Sequence, residues 1–248
     1  MCVNYRPPDT ATLNANMGGL FGISEVWERE IWKDYSAPIV RRGANGQREG
    51  VLANYAMYPM EVQRREYEAK KAKALERGLP VPKPKWFDTM NARSEDLLMR
   101  PLYTPAWKRQ QFCLVPATCF FEPCYETGTA VRWGIGMADM SMFAIAGLWR
   151  EWAGKDGPVV AFTQLTINAD EHPLMRRFHK PDDEKRSLVI VPQAEWDDWL
   201  ECKDLDFARS FLRHYPADLM KSWAEPQALR TRTPATTSAP ANTQLDLL

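Results

Sequence analysis

The chain has 248 residues, of which 45% are hydrophobic and 26% are charged, a composition typical of a globular protein. Its 32 basic and 32 acidic residues balance, which argues against a strongly basic nucleic-acid-binding protein but allows a local basic groove. No apolar run reaches the length of a membrane span, and no basic segment followed by an apolar stretch indicates a secretory signal. We therefore expect a cytoplasmic protein without a membrane partner.

The cysteines favour the same compartment. They are odd in number and irregularly spaced, which indicates reduced thiols without a disulfide framework: Cys2, Cys113, Cys119, Cys124 and Cys202. Cys119 and Cys124 form a C-x4-C pair with His172 and His179 downstream, but a structural zinc site usually has two compact ligand pairs. We expect no metal and no cofactor.

The first half of the chain predicts two helices and a hairpin. "SEVWEREIW" (24–32) has a possible N-cap at Ser24 and apolar residues at helical spacing. "APIVRR" and "VLANYAMYP" are strand-like and are joined by a Gly-rich turn. Residues 60–78 predict a charged helix that ends at Gly78, and a Pro-rich connection follows to residue 85. The surplus of Lys and Arg in 60–85 makes this segment a candidate edge of a groove for a polyanion.

The second half is dominated by short apolar runs with strand character: "QFCLVPATCFFEP", "VRWGIGM", "MFAIAGLW", "VVAFTQLTI" and "RSLVIVP". "TPAWKRQ", "PQAEWDDWLEC" and "DFARSFLRHY" predict short helices between and after them. Strands outnumber helices without regular alternation, which predicts one α+β domain over 1–224 on a mainly antiparallel sheet or barrel with flanking helices. Residues 225–248 are rich in Pro, Thr and Ala and predict a disordered tail.

Cys2 is the first candidate for chemistry. Methionine before a small residue is usually removed, which would leave Cys2 with a free amine and a thiol on adjacent carbons. An α-amine has a pKa of about 7.7–8.0, so a useful fraction is nucleophilic near neutral pH. Such an aminothiol attacks an aldehyde to give an imine and then closes to a thiazolidine. Its other chemistry is acyl transfer, with the thiol as nucleophile and the amine as base.

Four further residues have side chains suited to a reaction site. Asn91 and Arg93 in "NARSED" would share one face of an extended segment. Glu122 stands at the end of an apolar strand next to Phe120 and Phe121, where burial would raise its pKa and suit it to general acid–base work. His179 in "RRFHKP" precedes an acidic loop and the strand "RSLVIVP".

Taken in order, these stretches resemble the SOS response-associated peptidase (SRAP) family. The resemblance rests on "MC" at 1–2, "NARSE" at 91–95, "CLVPATCFFE" at 113–122, "FAIAGLWREW" at 143–152, "FTQLTINADEH" at 162–172, "RFHKP" at 177–181 and "LVIVPQAEWDDWL" at 188–200. It covers roughly the first 200 residues, and its specificity lies in the order of several motifs.

The resemblance implies a DNA damage response protein, acting as a monomer, that captures abasic sites in single-stranded DNA through a lyase-like crosslinking activity. Cys2 would be the crosslinking nucleophile, and Asn91 would orient its amine or the thiazolidine. Arg93 would bind a neighbouring phosphate. Glu122 would move protons during sugar opening and ring closure, and His179 would donate to the sugar oxygen.

The chain departs from the family pattern at several positions. Val3 to Arg6 replace the Gly-Arg or Asn-Arg that often follows the cysteine, so Arg6 is the expected phosphate contact. Tyr55 or Tyr58 in "NYAMYP" would replace a stacking tryptophan. The loop around His179 is longer than usual, which keeps His172 as an alternative to His179. The acidic "PDDEK" beside it would repel phosphate unless it points away from the groove.

Two other functions remain open from the sequence. A thiol peptidase could use Cys2 against a peptide bond, including the one that follows its own leader. A non-covalent single-stranded DNA-binding module could use the basic 60–85 segment and exposed aromatic residues, with binding that depends on salt.

Overall fold

The structure of the protein is a computed structural model, which describes residues 4–22 and 25–226. Its strands within these ranges are β1 (Tyr5–Arg6), β2 (Ser36–Arg42), β3 (Arg48–Tyr55), β4 (Asn91–Arg93), β5 (Phe112–Ala117), β6 (Cys119–Cys124), β7 (Val131–Met137), β8 (Phe143–Ala153), β9 (Pro158–Asn168), β10 (Arg186–Leu188), β11 (Ile190–Val191) and β12 (Met220–Ala224). The α-helices are α1 (Thr10–Met17), α2 (Met60–Glu76), α3 (Thr104–Lys108), α4 (Trp196–Glu201) and α5 (Leu205–Ser210).

The larger sheet closes on itself. Strands β9, β3, β2, β5 and β8 are neighbours in that order, and β8 also pairs with β9. The closure makes a barrel, which leaves fewer open strand edges than a flat sheet. Most pairs are antiparallel, whereas β3 and β4 each run parallel to β9. Strands β10 and β11 extend the barrel from β9 and β8.

The second sheet is wholly antiparallel, in the order β1, β6, β7, β12. One core lies between this sheet and the barrel and contains Tyr5 and Phe120 from the second sheet with Tyr55 and Phe162 from the barrel. The other core packs the helices against the opposite side of the barrel wall, around Trp199. The predicted α+β fold on a mainly antiparallel sheet or barrel is confirmed.

The hairpin and the charged helix predicted from the sequence are also confirmed. Strands β2 and β3 pair from Ser36 opposite Asn54 to Arg42 opposite Arg48. After α2, Gly78 adopts a left-handed φ of 63°, which a residue without a Cβ does at no steric cost.

The helix predicted over 24–32 is wrong for residues 25–32, where the structure has no helix. Ile31 instead exchanges backbone hydrogen bonds with Tyr5, its N–H donating over 2.8 Å to the Tyr5 carbonyl. Trp27 Nε1 donates to the Pro8 carbonyl at 2.9 Å. These contacts with the N-terminal segment replace local helical hydrogen bonds, so tertiary structure overrides the helical spacing.

Several predictions concern residues that the structure does not describe. Cys2 and Val3 lie outside the described residues, as does nearly all of the tail predicted over 225–248, from residue 227 onward. The division into a domain over 1–224 and a tail stays a prediction. In the described part of the chain, every helix is too short or too polar to cross a membrane.

Candidate functional site

Glu122 lies in the middle of the second sheet, on β6 opposite Trp133 of β7. Side chains alternate along a strand, so Glu122 shares with Phe120 the face that points into the core between the sheets. It is 3% exposed. Its Oε2 atom has no hydrogen-bond partner among the described residues. Burial disfavours the charged form and raises the pKa of Glu122 to about 8.

His179 follows the fully buried Phe178, which forms a backbone bridge with Cys124 at the end of β6. The His179 N–H donates to the Pro123 carbonyl at 2.7 Å, so the loop is joined directly to the strand that carries Glu122. His179 has a left-handed φ of 66°, a conformation that residues with a Cβ rarely adopt. Such backbone strain clusters at functional sites.

His179 Nε2 lies 3.4 Å from Glu122 Oε2. This distance is within ion-pair range, but an ion pair requires a charged imidazole and a charged carboxylate. Burial acts against both charges, because it lowers the pKa of His179 to about 4 while it raises the pKa of Glu122 to about 8. Near pH 7 the two groups therefore form a contact between a neutral acid and a neutral base.

His172, the alternative to His179, has a structural environment. Its Nε2 lies 3.0 Å from the Tyr215 carbonyl, and its Nδ1 accepts backbone N–H bonds from Leu174 and Met175 at 3.2 and 3.1 Å. Both ring nitrogens are thus engaged by the backbone, as in a neutral imidazole that donates at Nε2. The structure places His179, and not His172, against Glu122.

Asn91 begins β4 and lies directly opposite Gln164 of β9 in a parallel pair. Gln164 was not predicted as a site residue. It is fully buried; its Oε1 accepts a 2.9 Å hydrogen bond from the Tyr55 hydroxyl, while its Nε2 has no partner among the described residues. The Tyr55 ring meets that of Tyr5 on β1 edge to face at 5.4 Å. A chain of contacts thus connects the strand of Asn91 to the N-terminal strand.

One sequence signal could have revealed Gln164. It is an amide in an otherwise apolar strand, "VVAFTQLTI", where a buried polar group needs a partner. Tyr55, considered above as a stacking residue, is itself fully buried and stacks on Phe162 at 5.2 Å. Tyr58, the other tyrosine considered for stacking, is partly exposed, and its ring stacks on that of Trp152 at 5.0 Å.

Arg93 ends β4 with a half-exposed side chain that is bound by an acidic residue. Its Nη1 lies 2.7 Å from Oε2 of Glu184, in the acidic stretch after His179. Glu184 also accepts a 2.8 Å hydrogen bond from Arg186, which Glu95 binds in turn. The acidic loop therefore turns one carboxylate towards the arginine expected to bind phosphate.

Arg6 is also bound by carboxylates. Its Nη2 lies 3.0 Å from Glu30 and 2.6 Å from Glu225, and its guanidinium stands over the Phe121 ring at 5.2 Å. These acidic partners raise the pKa of Arg6 even though its partial burial acts in the opposite direction. A role for Arg6 in phosphate binding stays a prediction, and it requires phosphate to compete with two carboxylates.

The structure brings Glu122 and His179 into contact and places Asn91 on the barrel wall that faces the same core. Arg93 and Arg6 lie at the surface, each with acidic neighbours. Among the described residues, no group of three or more His, Cys, Asp or Glu side chains could hold a metal ion. Acid–base chemistry by protein side chains is what this arrangement can supply.

Curated relatives share part of this sequence. The chain is 29% identical over 141 residues to the abasic site processing protein YoqW of Bacillus subtilis (strain 168), an alignment that covers 55% of this chain and 59% of that protein. It is also 29% identical over 141 residues to the abasic site processing protein YobE of the same organism, with 55% and 61% covered. The alignments thus span about three fifths of these relatives.

Solved structures share the fold. A crystal structure of a protein from Bordetella bronchiseptica matches with a TM-score of 0.75 and 29% identity over 91% of this chain and 100% of that one. A protein from Bacteroides thetaiotaomicron matches with a TM-score of 0.67 and 18% identity over 90% and 91%, a likeness of fold alone. The model of the SOS response associated peptidase (SRAP) family matches residues 25–230. The chain belongs to this family.

Proposed function

We propose that this protein captures abasic sites in single-stranded DNA by a covalent link through Cys2, after removal of Met1. The relatives' names support a role in processing abasic sites. The observation that carries the proposal is the buried contact between Glu122 and His179. Opening of an abasic sugar requires a proton donor and a proton acceptor, and a protonated carboxyl group beside a neutral imidazole supplies both near pH 7.

The first step is opening of the abasic sugar. The C1′ hydroxyl loses a proton, the bond from C1′ to the ring oxygen breaks, and the ring oxygen gains a proton, which leaves an aldehyde. Glu122 is the proton source, since burial holds it protonated up to about pH 8. The neutral imidazole of His179 relays that proton to the ring oxygen. The Glu122 carboxylate that remains takes up the proton of the C1′ hydroxyl, so both groups return to their starting protonation states.

The second step forms the crosslink. The Cys2 amine attacks C1′, and loss of one water from the adduct leaves an imine. The Cys2 sulfur then adds to C1′ while the thiol proton passes to the imine nitrogen, which completes a thiazolidine ring. Asn91 orients the amine or the ring, and Arg93 binds a neighbouring phosphate with its planar guanidinium.

The test is a denaturing gel with a labelled single-stranded oligonucleotide that contains one abasic site. We expect a slower-migrating covalent band with the mature protein and none with Cys2→Ala. Cys202→Ala is the matched control, because it removes a buried thiol elsewhere in the chain and should leave the band. A band that survives Cys2→Ala, or no band with the unaltered protein, contradicts the proposal.

A second candidate is a thiol peptidase, since the family description names a peptidase. It would use Cys2 against a peptide carbonyl, with the same acid–base pair. Expression in cells that lack active methionine aminopeptidase separates the two: an intact-mass measurement that finds Met1 removed supports self-cleavage, and retention of Met1 opposes it. Non-covalent binding alone predicts salt-sensitive affinity for intact DNA that Cys2→Ser leaves unchanged, with no covalent band.

A further inference from the structure

The N-terminal segment, residues 4–6, carries two polar side chains on the face of the second sheet that points away from the core. Tyr5 belongs to the core, so its neighbours Asn4 and Arg6 alternate to the other face. The Asn4 carbonyl accepts the Phe121 N–H at 3.2 Å. Since Cys2 is only two residues from Asn4, the contacts that hold this segment limit how far Cys2 can reach.

One carboxylate, that of Glu30, binds both polar side chains of this segment. Its Oε1 accepts a 3.0 Å hydrogen bond from Nη2 of Arg6, and its Oε2 accepts one from Nδ2 of Asn4 at 3.3 Å. Oε2 also accepts a 2.7 Å bond from Nη2 of Arg132, at the start of β7. Glu30 therefore joins the N-terminal segment to a strand on the other side of β6.

The strand between them contributes an aromatic ring to the same cluster. The Arg132 guanidinium lies 3.4 Å from the centroid of the Phe121 ring, and that of Arg6 lies 5.2 Å from it. Phe121 immediately precedes Glu122, so these contacts are made next to the proposed acid. We call Glu30, Arg6, Arg132 and Phe121 the Glu30 cluster.

The Glu30 cluster has no excess of positive charge with which to bind a phosphate. Glu225 forms a second ion pair with Arg6 at 2.6 Å, so two guanidinium groups face two carboxylates, all largely buried. Cys119, opposite Arg6 on β6, is a neutral thiol, because burial raises its pKa to about 11. The other charged residues that line the cavity beside the cluster, Glu28 and Arg29, cancel each other.

We propose that Glu30 is a positioning residue for the crosslinking nucleophile. With Arg132 it fixes the N-terminal segment against β6, and it thereby limits the positions that Cys2 can take up beside the strand of Glu122. In this assignment Arg6 acts on the protein and not on a DNA phosphate. The inference rests on the proposed function, whose reaction needs the Cys2 amine held in a fixed orientation.

The test measures single-turnover crosslinking against the concentration of single-stranded DNA with one abasic site, for the mature protein and for Glu30→Gln. We expect the maximal rate to fall about ten-fold, as for loss of a charged hydrogen bond, while the half-saturating DNA concentration stays the same. Glu28→Gln is the matched control, because it removes an exposed carboxylate from the same cavity and none of the contacts of the Glu30 cluster. It should leave the maximal rate unchanged.

Arg6→Met separates positioning from phosphate binding. If Arg6 belongs to the Glu30 cluster, this variant lowers the maximal rate, and combining it with Glu30→Gln adds little, since the two side chains act together. If Arg6 binds a phosphate instead, the half-saturating DNA concentration rises and the logarithmic salt slope weakens by about 0.7, the value for one phosphate of single-stranded DNA. That second result, or a loss of rate that Glu28→Gln shares, overturns the inference.

Hydrogen exchange tests the same contacts without crosslinking. The Phe121 N–H, which donates to the Asn4 carbonyl, should exchange faster in Glu30→Gln than in Glu28→Gln. Equal exchange in the two variants overturns the inference. Absence of a covalent band with the unaltered protein contradicts the proposed function separately, and the exchange rates still show whether Glu30 holds the segment.

A small aldehyde separates the position of Cys2 from its reactivity. Acetaldehyde closes to a thiazolidine on an N-terminal cysteine with loss of one water, and it needs no fixed orientation of the protein. Intact-mass measurement should find the same rate of this reaction in the unaltered protein and in Glu30→Gln. A slower reaction in Glu30→Gln would assign Glu30 to the reactivity of the amine and overturn its positioning role. Thermal melting of each variant confirms that it is folded.

Discussion

Nε2 of His179 lies 3.4 Å from Oε2 of Glu122, in a contact that burial keeps neutral on both sides near pH 7. The His179 backbone is tied to the same strand, through its N–H bond to the Pro123 carbonyl. The acid and the base are therefore fixed with respect to each other by β6 and by one strained loop residue. Burial of these two groups lowers the stability of the folded protein, and under the proposed function it supplies the acid and the base; both effects can be measured.

The first prediction concerns stability against pH. The pKa of Glu122 is about 8 in the folded protein, above its ordinary value of 4.5, so its contribution to stability is complete below about pH 4.5 and is lost as the pH rises to about 8. The contribution of His179 to stability changes with pH in the opposite direction. Because its pKa is lowered to about 4, the folded protein becomes less stable as the pH falls below about 6.5. Between pH 6.5 and 8 the Glu122 effect is the larger of the two.

We therefore expect Glu122→Gln to raise the melting temperature relative to the unaltered protein, by about 5–10 °C at pH 8 and by much less at pH 5. Calorimetry at the two pH values checks this. Glu61→Gln removes an exposed carboxylate from the first turn of α2 and is the control. A difference between Glu122→Gln and the unaltered protein that stays constant with pH contradicts the raised pKa of Glu122.

The second prediction separates the two buried histidines. His179→Asn keeps a residue that tolerates a left-handed φ, so the fold should be retained while the crosslinking rate falls about 100-fold, as for loss of a general acid–base group. His172→Ala removes a ring that bonds three backbone groups, so it should lower the melting temperature and leave the rate of the folded protein unchanged. If the two variants exchange these effects, His172 is the catalytic histidine.

Local patterns predicted the parts of the fold that form within one segment. The β2–β3 hairpin and α2 with its terminal Gly78 are such parts. The helix predicted over 24–32 failed because Ile31 pairs with Tyr5, a long-range contact that helical spacing does not encode. Helix α1 was not predicted, although Asp9 caps it and Gly18 ends it in the left-handed region, because its sequence has no amphipathic pattern.

Some features of the candidate site also follow from the local sequence, whereas others depend on tertiary structure. The burial of Glu122 follows from its phenylalanine neighbours and from its place in a central strand, both of which the sequence displays. The partners of Arg93 and of Gln164 depend instead on which strands and loops become neighbours. The sequence predicted residue types suited to the proposed chemistry, whereas their partners depend on the tertiary structure.

The third prediction tests Gln164. Gln164 lies opposite Asn91, and its Nε2 lacks a hydrogen-bond partner among the described residues. Under the proposed function we expect this amide to donate to the captured sugar. Gln164→Leu should lower the maximal crosslinking rate about ten-fold, as for loss of one hydrogen bond. Thr163→Val removes a buried 3.0 Å bond to the Met90 carbonyl on the other face of the same strand, and it should lower stability only. An unchanged rate in Gln164→Leu assigns this amide to structure alone.

The fourth prediction concerns the acidic loop. Glu184 forms an ion pair with the guanidinium of Arg93, so a DNA phosphate must displace the Glu184 carboxylate before it can bind Arg93. Glu184→Gln removes that charge, while Arg186 keeps its two bonds to Glu95, so the loop should remain anchored. We expect the affinity for single-stranded DNA to rise about two- to five-fold, because exposed ion pairs are weak and the repulsion of phosphate is also lost.

The control is Asp182→Asn, which removes an exposed charge from the same loop, away from this ion pair, and should raise the affinity less. Fluorescence anisotropy at fixed ionic strength compares the two variants. Equal gains from both variants would mean that the loop acts only through its total charge, whereas a gain confined to Glu184→Gln means that this carboxylate competes with DNA for Arg93.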